Sequence, residues 1–126
     1  MSTTHTLEGV DVAAFFQAVD RFDAEAFGAF FSEDATYVFS NYPATHGRDG
    51  IVAGAAAFWD TLETIEHKLV ELFPFPGGFV SQLEVTFGLV GGRRVTLPVA
   101  VITRTADGQI SDHRIYVNES PLADEG

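Results

Sequence analysis

The sequence predicts an α+β fold: a curved, mostly antiparallel sheet packed against three N-terminal helices and closing around a cone-shaped space. Three observations carry this reading. Apolar residues in the first half recur at helical spacing. The second half divides into four long strand-like stretches broken only by PFPGG, VGG and ADG. Hydrophobic residues make up 46% of the 126, and twelve residues are Phe. That is ample for one packed domain over residues 1–126, with its ordered part from about 8 to 118. The polar ends, which lack periodicity, predict frayed tails over 1–7 and 119–126.

Val12, Phe15, Phe16 and Val19 stand at i, i+3, i+4 and i+7, one face of a first helix. Phe27, Phe30 and Phe31 repeat the spacing, so a second, shorter helix runs from Asp23 to Phe31, with the Asp23 carboxylate as its N-cap. SEDATYVFSN then alternates, Tyr37, Phe39 and Asn41 on one face and Thr36, Val38 and Ser40 on the other, as a strand does. NYPATHGRDG is turn chemistry. Ile51, Ala55, Phe58, Trp59 and Leu62 predict a third helix over Arg48–Glu63, with Asp49 at its N-cap or first turn. Ile65–Phe75, Phe79–Leu89, Arg93–Thr105 and Gln109–Asn118 read as four strands joined by short turns, hence an antiparallel meander. Long twisted strands curve, and a curved sheet under helices leaves a cone-shaped cavity.

Composition narrows the function. With no Cys, there is no disulfide, thiolate nucleophile or thiolate metal site, which suits a cytoplasmic protein. A net charge of −11 repels phosphate backbones and anionic lipid, so neither nucleic acid nor a membrane is an expected partner. MSTTHTLEGVD does not read as a signal peptide, and no apolar run approaches a membrane span. No GxxxxGK[ST], GxGxxG or GxSxG motif occurs, and no two His stand at HxH or HxxxH spacing, so no cofactor and no metal are expected.

The stretches FDAEAFGAFFSEDATYVF, HGRDGI at the third helix and DGQISDHRIYVN at the end, in this order of elements, carry a likeness across nearly the whole chain. The sequence resembles the nuclear-transport-factor-2-like superfamily of cone-shaped, cystatin-like α+β barrels. That superfamily includes SnoaL-like polyketide cyclases, ketosteroid isomerases, limonene-epoxide hydrolases and scytalone dehydratase. The resemblance implies a concave face turned to the helices and a convex face that meets a second copy, a homodimer. With Tyr37, Phe39 and Asn41 inward, alternation adds Ser81, Leu83, Val85 and Phe87, then Pro98, Ala100 and Ile102, then His113, Ile115 and Val117. Phe15 or Phe16, Val19, Phe58, Trp59 and Leu62 come from the helices. Val99, Val101 and Thr103, with Asp112, Arg114 and Tyr116, fall on the convex face. The wall is apolar and aromatic with few polar members, the character of a site for a small apolar organic ligand. A filled hydrophobic core reads the same way.

The catalytic patterns of the family match unevenly. A ketosteroid-isomerase-like enzyme needs a carboxylate near Phe39, a Tyr near Phe15 and an Asp near Ala100, and all three positions are apolar. The epoxide-hydrolase pattern falls on Ser81, Leu83 and Ile115, with Phe39 and Asn41 holding water; only Asn41 fits. A slip of one residue would instead turn Gln82 and Glu84 inward. The SnoaL-like and dehydratase chemistries need one group to move a proton, which a His does well. His113 is the acid/base candidate, with Tyr37 and Asn41 orienting the ligand and Phe15, Phe39, Trp59, Ser81, Val85, Ala100 and Ile115 as its surroundings. His46 lies at the rim, His67 could face either side, and His5 is in the tail. The expected function is a cofactor-free cyclase, isomerase or dehydratase. The alternative is a non-catalytic binding or interaction module on the same fold.

Overall fold

The computed structural model describes residues 6–123. A small hairpin, β1 (Thr6–Leu7) and β2 (Val10–Asp11), leads into α1 (Val12–Asp20) and α2 (Ala24–Ala29). Next come β3 (Phe31–Phe39), β4 (Thr45–His46) and α3 (Arg48–Trp59). Four long strands follow, β5 (Leu62–Phe75), β6 (Gly78–Leu89), β7 (Arg94–Ala106) and β8 (Gln109–Tyr116), then α4 (Ser120–Ala123). The ends correct the expectation of frayed tails at two places. Thr6 pairs with Asp11 and Leu7 with Val10, and α4 sets Leu122 against the core. The expectation for 1–5 and 124–126 lies outside the described residues.

Both leading helices start on an aspartate. Asp11 accepts from the amide of Ala14 at 3.0 Å, and Asp23 from that of Ala26 at 3.0 Å, each satisfying an amide without an intrahelical partner. Asp23→Ala is expected to lower stability by about 1 kcal/mol, read as a shift of the urea midpoint; an unchanged midpoint would show the cap to be idle. The third helix stops at Trp59, short of the expected Glu63. The Thr61 hydroxyl donates to Phe58 O at 2.6 Å as the chain turns, and Leu62 already begins β5.

The main sheet has the order β4-β3-β8-β7-β6-β5. β5 to β8 form the expected antiparallel meander, and β3 joins it parallel to β8, with Tyr37 opposite His113 and Phe39 opposite Ile115. The core lies between the concave face and the helices: Phe15 from α1, Phe27 from α2, Ile51 from α3, and Leu83 and Val85 from β6 are all within 3% of full burial.

One register is the reverse of the expectation. On β7 it is Leu97, Val99, Val101 and Thr103 that face inward, 7%, 6%, 2% and 1% exposed, whereas Pro98, Ala100 and Ile102 take the convex face. The stretch VTLPVAVIT is apolar at nearly every position, so alternation alone gives no polar side to point outward. The neighbours decide instead. Val101 sits between Ser81 and Ile115, and Thr103 lies opposite His113. The convex face therefore carries Ala100 and Ile102 beside Arg114 and Tyr116, in place of Val99, Val101 and Thr103. β6 keeps the predicted register, and Gln82 and Glu84 stay exposed on the outside.

Candidate active site

The concave sheet and the helices enclose a cavity of about 960 Å³. Seven of the residues predicted for the site line it: Phe15, Tyr37, Phe39, Trp59, Val85, His113 and Ile115. Three do not. Asn41 is exposed, because β3 ends at Phe39 and Ser40 takes a left-handed φ of 53°, which ends the alternation that would have turned Asn41 inward. Ala100 lies on the convex face with the rest of its register. Ser81 points inward and is fully buried, but it sits behind the cavity wall with no partner for its hydroxyl among the described residues.

His113 stands in an aromatic box. Its ring stacks on Tyr37 at 5.5 Å between centroids and meets the edges of Phe15 at 5.1 Å and Phe31 at 5.9 Å. Its Nδ1 is hydrogen-bonded to the Thr103 hydroxyl at 3.0 Å, inside the core. Burial pushes its pKa down to about 3, partly opposed by Asp112 and reinforced by the nearby His67. The ring is therefore neutral across the physiological range. Burial also raises the Tyr37 pKa, so the phenol keeps its proton and remains a donor.

A second histidine, which the sequence left unassigned, completes the polar set. His67 on β5 lines the cavity and stacks on Phe16 at 5.0 Å. Its Nδ1 lies 2.6 Å from Oδ1 of Asp20, the last residue of α1. The same carboxylate accepts from the His67 amide at 3.1 and 3.3 Å, which fixes strand to helix. A signal for this was present in the sequence. Asp20 follows Phe16 by four residues, so a carboxylate sits on the inward stripe of the first helix. His46 instead pairs with the Thr36 hydroxyl at 3.2 Å, exposed on the outer strand. Among the described residues no group of three or more His, Asp or Glu side chains could hold a metal ion, and no helix is long and apolar enough to cross a membrane.

Solved structures similar to this chain share its fold at low identity. A putative SnoaL-like polyketide cyclase from Jannaschia sp. has a TM-score of 0.80 at 16% identity, covering 98% of this chain and 94% of that one. A hypothetical protein with a ketosteroid isomerase-like fold from Catenulispora acidiphila, in complex with trimethylamine, has 0.78 at 20%, covering 83% and 82%. TerC co-crystallised with polyporic acid has 0.80 at 14%, covering 89% and 92%. No curated protein matches the chain. The family model of the SnoaL-like domain matches residues 12–113, from the start of α1 into β8, and the chain belongs to that family.

Proposed function

We propose that the cavity binds a small, mostly apolar organic molecule and moves a proton on it without a cofactor. His67, held by Asp20, is the base, and the Tyr37 hydroxyl donates to the oxygen that gains charge. The observation that carries this reading is the 2.6 Å contact between His67 Nδ1 and Asp20 at the wall of an otherwise apolar cavity. An ionised carboxylate only accepts, so Nδ1 carries the hydrogen and Nε2 keeps its lone pair. With Nδ1 turned to α1, the Nε2 edge is the one left to the ligand.

The chemistry follows from these groups. Nε2 takes a proton from a carbon next to a carbonyl; the C–H electron pair forms the enolate C=C bond, and the carbonyl π pair moves onto the oxygen. Tyr37 stabilises that oxyanion, and Asp20 stabilises the imidazolium that forms. Returning the proton to another carbon gives an isomerisation. Attack of the enolate carbon on a second carbonyl closes a ring, the π pair of that carbonyl moving onto its oxygen, which takes the proton from the imidazolium; loss of a β-hydroxyl as water, with the proton from the imidazolium, is a dehydration. His113, the acid/base candidate of the sequence, takes a different part here. As a neutral imidazole anchored to Thr103, it orients Tyr37 and offers one polar edge in an apolar wall. The ligands named in two fold neighbours, trimethylamine and polyporic acid, support a small-molecule cavity as the common use of this shape.

The test is hydrogen exchange at the acidic carbon of a two-ring ketone, 2-tetralone, followed by NMR in D₂O. Acceleration over buffer at the same pH supports the enzyme. Binding of the ketone with exchange at the buffer rate would instead support the non-catalytic binding module.

We also infer a homodimer through the convex face, where Ala100, Ile102 and Tyr116 form an apolar stripe beside the Arg114–Asp112 pair. Light scattering at micromolar concentration is expected to give twice the monomer mass, reduced to the monomer by Ile102→Glu. A monomeric wild type would end this inference.

A further inference from the structure

We propose that residues 117–123 form a gate across the open end of the cavity, latched by Arg93 and Ser40, and that ligand enters and leaves by its opening. This rests on the reading of the cavity as a ligand site. After β8 ends at Tyr116, the chain turns back over the mouth, and Val117, Glu119, Leu122 and Ala123 all line the cavity.

The latch has two ends. On one side the Ser40 hydroxyl lies 3.1 Å from Val117 O and within hydrogen-bond distance of the Glu119 carboxylate. On the other, Arg93 donates to Pro121 O from both terminal nitrogens at 3.2 Å, and to Leu122 O at 2.9 Å. The β6–β7 turn aims that guanidinium. Gly91 and Gly92 take φ of 100° and 93°, conformations that side chains with a Cβ rarely adopt, and Leu89 N closes the turn on Arg93 O at 2.7 Å.

Among the described residues, most of the remaining wall is more firmly held. Apart from turn residues at Tyr42, Pro43, Thr61 and Val90, its other lining residues stand on paired strands and on helices seated on buried Phe and Trp rings. The segment over the mouth has two half-buried apolar anchors, Val117 and Leu122, and hydrogen bonds open to solvent at Arg93. Solvent-exposed hydrogen bonds contribute little net stability, so the segment should open well before the sheet or helices separate. Two large apolar side chains, Tyr42 at 59% and Val90 at 69% exposed, stand on the rim beside it. They suit an apolar molecule in passage.

The experiment is stopped-flow fluorescence with N-phenyl-1-naphthylamine, a neutral apolar dye, on the full chain and on Arg93→Gln and Leu122→Ala. In the wild type the observed association rate should level off with dye concentration, at the opening rate of the gate. Arg93→Gln should raise association and dissociation together by about threefold and leave Kd within roughly twofold. Leu122→Ala should move both rates in the same direction. Wild-type rates in both variants would overturn the gate. Faster dissociation with unchanged association would also overturn it, since it would make the segment only part of the wall. A wild type that binds no dye would sink the cavity reading itself, and the gate with it.

Discussion

Replacing His67 with Gln should slow exchange at the ketone carbon by about 10²–10⁴-fold, the usual contribution of a positioned general base. Gln keeps an amide that can donate to Asp20, so β5 and α1 stay joined while the titrating nitrogen is lost. Asp20→Asn should cost less. The amide can still hold the ring, but it can also donate to Nδ1 and so favour the tautomer with hydrogen on Nε2, which is no base. The double variant should be no worse than His67→Gln alone, because the two residues act as one unit. His113→Gln should stay within a few-fold of the wild type. The opposite pattern, exchange lost in His113→Gln and kept in His67→Gln, would return the base to β8 and refute the assignment to His67. Circular dichroism of each variant separates lost chemistry from lost structure.

The contrast between the two histidines also shows what sequence can carry. Helix spacing placed Phe15, Phe58 and Trp59 on the cavity wall, and strand alternation placed Tyr37, Phe39, Val85, His113 and Ile115 there as well. Each of those strands has a polar face that sets its direction. β7 has none, so Ala100 was turned inward and Val99 and Val101 outward, and only pairing with β6 and β8 resolves it. Asn41 failed for a different reason. Alternation holds only while the strand lasts, and one left-handed residue at Ser40 ends it. The Asp20–His67 pair joins residues 47 apart in sequence. Alternation sets His67 with Ile65 and Leu69 and apart from Glu66 and Lys68, and helix spacing sets Asp20 on the stripe of Phe16, but which carboxylate meets which imidazole is fixed only once α1 packs on β5. The segment over the mouth was hidden in the same way. It looks like a polar tail because its partners, Arg93 and Ser40, are supplied by distant turns.

Acid should destabilise this protein through His113 in a way that a single substitution can isolate. In the unfolded chain the imidazole has an ordinary pKa near 6.5, and in the folded protein burial among Phe15, Phe31 and Tyr37 holds it at about 3. Between those two values the unfolded chain binds a proton that the folded chain refuses. Stability is therefore fully present above pH 6.5 and falls as pH drops toward 3, by up to about 1.4 kcal/mol per pH unit. Over the whole window the loss is of order 5 kcal/mol, comparable with the entire stability of many domains. His113→Gln removes the titrating group and leaves an amide to meet Thr103. The variant has its own offset, so the readout is the slope of unfolding free energy against pH, taken from urea titrations between pH 4.5 and 6.5. Every other side chain is common to both proteins, so the difference in slope isolates His113. The wild type should show the steeper fall. Equal slopes would mean that the folded protein protonates His113 as readily as the unfolded chain does. The ring would then be a proton carrier, and the division of labour between His67 and His113 would have to be reversed.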